Sequence, residues 1–506
     1  MKKTIGKIVG VLVFFIILLW PMDPAFFPVQ ATAAATALMV IWWITEAIPI
    51  QATALLPIVL FPALGVLKAT EATAPYADKV IFLFLGGFII AMSMQRWGLH
   101  ERIALTILNK AGSSSRMLIF GFMIATAFLS MWISNTATAM MMIPIAIAII
   151  ATILPKKDLK LDEMDKSQRA FAECIVISIA YAASIGGLAT IIGTPPNGIF
   201  LAQMEAIFPM APTIDFFTWM KFGVPLAMVF LPVACLWLTY GPYRDMPKKI
   251  SHGNTIIQQR IKELGPMSKG ERWTLIVFVM TAVAWIMRSE KDIGWLIIPG
   301  INTYMPWVDD STIAIAGAVL LFLLPVDWKQ GIFTMNWEWA KKIPWGILIL
   351  FGGGIALSKA FISSGLAQEI IQSFTIFHGL SIVFAVIVVG IIVSLLTEVT
   401  SNTAMASVMI PIMAVTSLSM GINPLYLMIA ATFAASMAFM LPVATPPNAV
   451  AYGSGYITMH NMMRTGWVLN VIGIVIVTVA MFTIITWALG MTPDIPVWAL
   501  EPVLGP

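Results

Sequence analysis

Two tripeptides, Ser134-Asn135-Thr136 and Ser401-Asn402-Thr403, set three small polar side chains in a row inside apolar stretches. The first stands in "WISNTATAMMMIPI", within a run from Met117 to Pro155 that carries no charge. Two more polar breaks, Thr194-Pro195-Pro196-Asn197 and Thr445-Pro446-Pro447-Asn448, interrupt other apolar runs. Hydroxyls and amides both donate and accept hydrogen bonds, and short polar side chains cap helices. A half-helix ending near Ser134 would aim free carbonyls at the tip, and one beginning near Thr136 would aim free N–H groups there. Carbonyl ends favour cations and N–H ends favour anions. Pro195 and Pro196 lack N–H groups, so helical bonding is expected to fail there and release carbonyls. Proline also suits the first turn of the next half-helix. Four such breaks can build a cage for an anion flanked by small cations.

The breaks are spaced as a repeat. The two Ser-Asn-Thr tips are 267 residues apart, and at that offset Gly86-Gly87 matches Gly353-Gly354 and Gly98-Leu99 matches Gly365-Leu366. From Ser134 to Ile145, nine of twelve positions equal their counterparts. The Thr-Pro-Pro-Asn pair lies at an offset of 251. The missing 16 residues are about the size of the charged loop 156–169, which has no second copy. The chain therefore reads as two copies of one unit: span, hairpin, broken span.

The elements that must position these breaks are set by composition. Of 506 residues, 59% are hydrophobic and 11% charged, against about 25% charged in soluble proteins. A membrane span needs roughly 20 apolar residues. This predicts an all-α polytopic membrane protein, with apolar segments at 5–20, 31–48, 51–67, 79–95, 117–133, 137–154, 170–208, 217–240, 273–287, 311–325, 343–361, 380–399, 404–417, 425–458 and 465–489. Segments 170–208 and 425–458 are too long for one span and are read as broken helices. Pairs 117–154 and 380–417 are read as hairpins. Unsatisfied backbone is tolerated at membrane depth only against protein or a watery cavity. That favours re-entrant tips over full crossings.

With each hairpin returning to its starting side and the N-terminus in the cytoplasm, 23 of the 29 Lys and Arg residues fall on the cytoplasmic side and 6 outside. This obeys the positive-inside rule. The count gives eleven spans with an external C-terminus. It also makes the two copies enter the membrane from opposite sides. Such inverted repeats are common in secondary transporters, whose sites lie near the midplane on discontinuous helices. The expected organisation is an N-terminal span over 1–30, a first repeat over 31–250, a cytoplasmic linker over 251–272 and a second repeat over 273–506. The opening "MKKTIGKIVGVLVFFIILLW" has the form of a signal peptide. The charge count works with it retained as a span.

Several function classes find no support in the residues. Cys174 and Cys235 lie in apolar segments and suggest neither a disulfide framework nor a metal site. The "HERIA" at His100 has Ala104 where a zinc-binding pair needs histidine. No Gly-rich phosphate loop is present, and nothing points to a nucleic acid. Ser134 has no His or Asp near it in sequence, as an activated nucleophile would require. The chain is not expected to be an enzyme. Glu398, the only charge between Gly379 and Pro442, either tunes the site or pairs with a polar neighbour. Glu46 and Glu173 are expected near the membrane faces.

At these motifs the sequence resembles the divalent anion/sodium symporter family of dicarboxylate transporters, over nearly the whole chain. The resemblance is carried by the Ser-Asn-Thr tips, "GTPPN" at 193–197, "ATPPN" at 444–448, "FLFLGGFIIA" at 82–91 and "WWITEAIPI" at 42–50. It implies a homodimer of eleven-span protomers in which a transport domain carrying both tips moves like an elevator against a scaffold. It implies one sodium seat at Ser130, Ser134, Asn135 and Gly193, and a second at Thr397, Thr400, Asn402, Ala444 and Pro446. Substrate carboxylates would be held by Asn135, Thr136, Asn402 and Thr403, with Ser401, Thr194 and Thr445 nearby. Ser130 and Thr397 each lie four residues before their tip serine, as in sodium-coupled members. The expected function is sodium-coupled symport of C4-dicarboxylates such as succinate, malate and fumarate across the plasma membrane. The alternative on the same fold is a sodium-independent dicarboxylate or citrate exchanger.

Overall fold

A computed structural model describes residues 2–112, 114–153, 164–250, 253–292, 296–373 and 379–500. Most of the charged loop 156–169, and the connection 374–378, lie outside them. Each apolar run becomes a helix, and polar residues mark the ends. Asp215 caps Phe216–Tyr240 by accepting Thr218 N–H at 2.7 Å. Asp165 with Gln168, and Ser268 with Glu271, form capping boxes at the starts of Lys166–Gly187 and Lys269–Ile286. Among the described residues, eight helices are long and apolar enough to cross a membrane, and further apolar helices are 10–17 residues long. The protein is a helical polytopic membrane protein.

The structure refines four expectations. The span expected over 51–67 is two pieces, Ile50–Thr53 and Leu56–Ala63, because Pro57 sits in the first turn of the second piece. The fold is not purely helical: two-stranded antiparallel ribbons pair Lys291–Asp292 with Ile297–Ile298 and Pro325–Asp327 with Ile332–Phe333. Both lie between helices, where chain outside the bundle is free to pair with itself. Glu173 is buried, bonded by Arg169 Nε at 2.9 Å and Asn461 Nδ2 at 2.8 Å.

The fourth refinement concerns the broken helices. Lys166–Gly187 stops well before the prolines, and Pro195–Ile207 begins on them. Leu425–Ala435 and Pro446–Gly453 behave alike. The prolines start the second half-helices, where a missing N–H costs nothing. The irregular backbone is the preceding stretch, 188–194 in one copy and 436–445 in the other.

The copies are interlocked. Pro195–Ile207 of the first copy packs on Asn402–Ser419 and Leu425–Ala435 of the second. Pro446–Gly453 of the second packs on Asn135–Ile153 and Lys166–Gly187 of the first. Lys166–Gly187 is the most interior span, with 94% of its apolar window buried. The repeated glycine pair serves close packing in both copies. A Cβ at Gly86 would sit 2.5 Å from the Ala314 carbonyl carbon, and one at Gly353 would sit 2.5 Å from Ala54 O. The opening helix Lys2–Leu18 packs along Phe27–Thr45.

Candidate functional site

Each hairpin is two helices joined by a short non-helical tip: Ser115–Ser130 to Asn135–Ile153, and Ile382–Thr397 to Asn402–Ser419. Both first arms end on the hydroxyl residue that the sequence places one turn before the tip. Ser130 Oγ lies 2.6 Å from Asn135 Oδ1 and 2.8 Å from Ala183 O. Thr397 Oγ1 lies 2.7 Å from Asn402 Oδ1 and 2.9 Å from Ala435 O. Each trio has three oxygens, and its hydroxyl brings a single hydrogen. The surplus of acceptors suits a small cation. In the first trio the count depends on which way the Asn135 amide is turned. The amide atom of Asn135 placed as oxygen also faces Gly193 O and Ala183 O, both at 3.2 Å. Only turning the amide, so that its NH2 donates to these oxygens and to Ser130 Oγ, would satisfy it without a cation. Seats made of such oxygens fit a sodium ion carried as cargo.

The breaks close around these trios. Asn197 Nδ2 donates to Gly187 O at 3.0 Å and Thr190 O at 2.8 Å. Asn448 Nδ2 donates to Ala438 O at 3.0 Å and Leu441 O at 3.1 Å. Both amides are fully buried. The last residue of Thr-Pro-Pro-Asn therefore staples the break to the half-helix that follows it. Thr445 accepts Asn448 N–H at 3.3 Å as an N-cap, whereas Thr194 makes no such side-chain bond.

The tips and breaks meet at one cavity of about 520 Å³. Asn135, Thr136, Thr194, Ser401, Asn402, Thr403 and Thr445, the seven expected substrate contacts, all line it. So do Ser134, Gly193, Thr400, Ala444 and Pro446 from the expected sodium set. Ser130 and Thr397 do not line it; both are fully buried behind the tips. Phe88, Ile192, Ile347, Val399 and Val443 supply apolar wall. The only charged residues of the lining are Lys3 and Glu46, 3.9 Å apart and largely exposed. Exposed pairs of this kind contribute little to stability. Glu46 has φ 49°, the one positive value outside glycine among the described residues, and it caps Phe27–Thr45. The walls thus offer a small anion neutral hydroxyls and amides.

Sequence reasoning missed part of this site. The carbonyls of Ala183 and Ala435 complete the trios, and backbone oxygens leave no mark in residue type. Gly187 escaped for a related reason: a Cβ there would lie 2.9 Å from Asn135 Oδ1. Asn197 and Asn448 were visible in the repeated motif, and their duplication was the available signal.

The family described as "Sodium:sulfate symporter transmembrane region" matches residues 1–491. The chain belongs to this family. The sodium-dependent dicarboxylate transporter SdcS of Staphylococcus saprophyticus is 41% identical over 493 residues, covering 97% of this chain and 92% of the relative. SdcS of Staphylococcus aureus strain MRSA252 is 42% identical over 500 residues, covering 98% and 93%. These relatives are transporters, not enzymes. Among solved structures, MtrF of Neisseria gonorrhoeae, described within a class of antimetabolite efflux pumps, aligns with a TM-score of 0.56 at 13% identity, covering 95% of this chain and 97% of its own. The YdaH transporter of Alcanivorax borkumensis gives 0.57 at 14% identity, covering 90% and 97%. At such identity these two likenesses speak for the fold alone.

Proposed function

We propose that this protein carries C4-dicarboxylates such as succinate, malate and fumarate inward together with sodium across the plasma membrane. The observation that carries this reading is the pair of oxygen trios set behind a cavity whose depths offer only neutral groups. A dianion entering such a site without counter-charge suffers a large desolvation cost. Sodium in the seats beside Asn135 and Asn402 offsets it, and that makes the two ligands bind together. The names of the staphylococcal relatives support both cargoes.

The same reading gives the molecule eleven spans and two re-entrant hairpins in inverted repeats over 31–250 and 273–506, with the N-terminus cytoplasmic and the C-terminus external. The first arm of each hairpin has 16 residues. At 1.5 Å per residue that is about 24 Å, short of a hydrocarbon core of about 30 Å. With the N-terminus cytoplasmic, Lys3 and Glu46 at the cavity mouth would face the cytoplasm. Two homodimeric protomers would each move their tips and breaks as an elevator against the remaining helices. Such movement, if it carries the half-helix Pro195–Ile207 along, must break the contact at the opposite face where Lys79 Nζ meets Glu205 Oε1 at 2.8 Å. A cysteine placed in 156–169 should label with an impermeant reagent from the cytoplasm only, and one in 374–378 from outside only. Labelling of both from one side overturns the inverted arrangement.

The function is tested by succinate binding to the purified protein over a sodium titration, with potassium as control. A coupling of about 1–3 kcal/mol, or roughly five- to 150-fold in affinity, is expected. Linkage requires succinate to tighten sodium binding by the same factor. Affinity independent of sodium, with succinate counterflow in its absence, would establish the exchanger instead.

A further inference from the structure

Glu398 is a carboxylate, 3% exposed, at the end of the first arm of the second hairpin. Its oxygens collect donors from one stretch of chain. Oε1 accepts Phe439 N–H at 2.8 Å and Met440 N–H at 2.9 Å, and Oε2 accepts Leu441 N–H at 3.0 Å. Asn470 Nδ2, from helix Met459–Ala480, donates to Oε1 at 2.8 Å. Every partner is a donor, which is the environment of an ionised carboxylate. Within a planar trans peptide, C=O and N–H point in opposite directions. Turning three successive N–H groups onto Glu398 therefore turns the carbonyls of Ala438 and Phe439 away, where Asn448 Nδ2 and Tyr181 Oη take them at 3.0 and 2.9 Å.

Among the described residues, no carboxylate plays this part in the first copy. At the repeat offset of 267, Met131 stands where the second copy has Glu398. Its break is held by neutral side chains instead: Thr190 Oγ1 donates to Met131 O, Trp219 Nε1 to Leu188 O at 3.0 Å, and Asn197 Nδ2 to Gly187 O and Thr190 O. The backbone bonds themselves are shared: Leu188 N–H to Ile185 O, Ala189 N–H to Gly186 O and Gly193 N–H to Thr190 O in the first copy match Ser436 N–H to Phe433 O, Met437 N–H to Ala434 O and Ala444 N–H to Leu441 O in the second. Glu398 directly follows Thr397, whose hydroxyl belongs to the second oxygen trio, and it fixes the break that begins just after Ala435.

We propose that Glu398 is a positioning residue for the second cation seat. Its carboxylate sets the shape of break 436–445, and its fixed negative charge biases that seat towards a cation. The two seats are therefore held by different means, and only the second depends on a buried charge. This rests on the sodium-coupled reading above.

The test is the sodium dependence of succinate binding in Glu398→Gln and Glu398→Asp, on protein recovered folded. In E398Q the half-saturating sodium concentration should rise about tenfold or more, the scale of a typical intersite coupling. Succinate affinity at saturating sodium should stay within about threefold, because the substrate contacts are untouched. E398D, which keeps the charge, should recover part of the sodium affinity. Unchanged sodium dependence in E398Q overturns the proposal, as does an equal loss for sodium and succinate that aspartate does not repair. Should neither variant fold, Asn470→Ala decides: it loosens the carboxylate without removing charge. A raised sodium half-saturation supports the proposal, and an unmoved one assigns Glu398 to folding alone. Wild-type binding that ignores sodium overturns the symport reading and this one together. Sodium-dependent wild type with an indifferent E398Q overturns this one only.

Discussion

The two copies of the repeat make the same oxygen trio and hold it in different ways. In the first, Ser130, Asn135 and Ala183 O gather beside a break of seven residues, 188–194, that is held by the neutral side chains of Thr190, Asn197 and Trp219. In the second, Thr397, Asn402 and Ala435 O gather beside a break of ten residues, 436–445, that leans on Glu398. The shorter break is also the tighter one. Gly187 and Gly193 approach so closely that a Cβ on Gly193 would lie 2.6 Å from Gly187 O. Their counterparts in the second copy are Ala438 and Ala444. What the repeat preserves is the chemistry at the centre. The support is free to diverge, because glycine turns and a buried carboxylate are alternative ways to satisfy irregular backbone away from water.

The largest effects should come where the copies agree. Asn135→Ala and Asn402→Ala each remove an amide that lines the cavity and belongs to a trio. A hydrogen bond to a charged group contributes about 1.5–3 kcal/mol, so each change should lower succinate uptake by at least about tenfold while the protein still reaches the membrane. Wild-type transport by both variants would remove the cavity from consideration as the site.

Where the supports differ, matched substitutions should part. Gly187→Ala drives a methyl against Asn135, and overpacking of this sort costs about 1–3 kcal/mol. The reciprocal change Ala438→Gly adds no atom, and its sodium dependence should stay close to wild type. Sodium titrations of uptake that move equally for the two variants would erase the distinction between a tight first break and a looser second one.

Ser130→Ala and Thr397→Ala should act more gently, since backbone oxygens remain in each seat. Loss of one neutral hydrogen bond is worth about 0.5–1.5 kcal/mol. Sodium half-saturation should rise in both, ahead of any change in preference among unlabelled acids competing for uptake. A change in acid preference with unaltered sodium dependence would assign these hydroxyls to substrate.

The smallest effect should come from Lys79→Ala. Lys79 and Glu205 are each about half exposed, at 48%, and such pairs contribute about 0–1 kcal/mol. Uptake should change less than about fivefold. A larger change would make this contact a principal latch between the moving and static parts.

Much of this was legible because membrane depth makes polar breaks costly and repetition makes accident improbable. The two Ser-Asn-Thr tips, the hydroxyls at Ser130 and Thr397 and the two Thr-Pro-Pro-Asn motifs all arrive at one centre, within the cavity lining or directly behind it. The places that misled are those where residue type is a poor guide to geometry. Helical bonding was expected to fail at Pro195 and Pro196, yet the chain departs from helix before them; the prolines do begin the next half-helix, as their missing N–H allows. Nor did residue type reveal that Glu173 is buried, with Arg169 and Asn461 as its partners.

The sequence by itself determined the solvent, the repeat and the polar residues at the breaks, since hydropathy, period and identity are local properties of the chain. Only the tertiary structure decided which carbonyls complete each trio, and that the first copy's half-helix lies against the second copy's hairpin. It alone showed that Glu398 reaches across 41 residues to Phe439 and further to Asn470. The physical reason is that a backbone oxygen is the same group in every residue. What makes it a ligand or a staple is the direction in which folding leaves it pointing, and that is fixed by contacts between segments far apart in the chain.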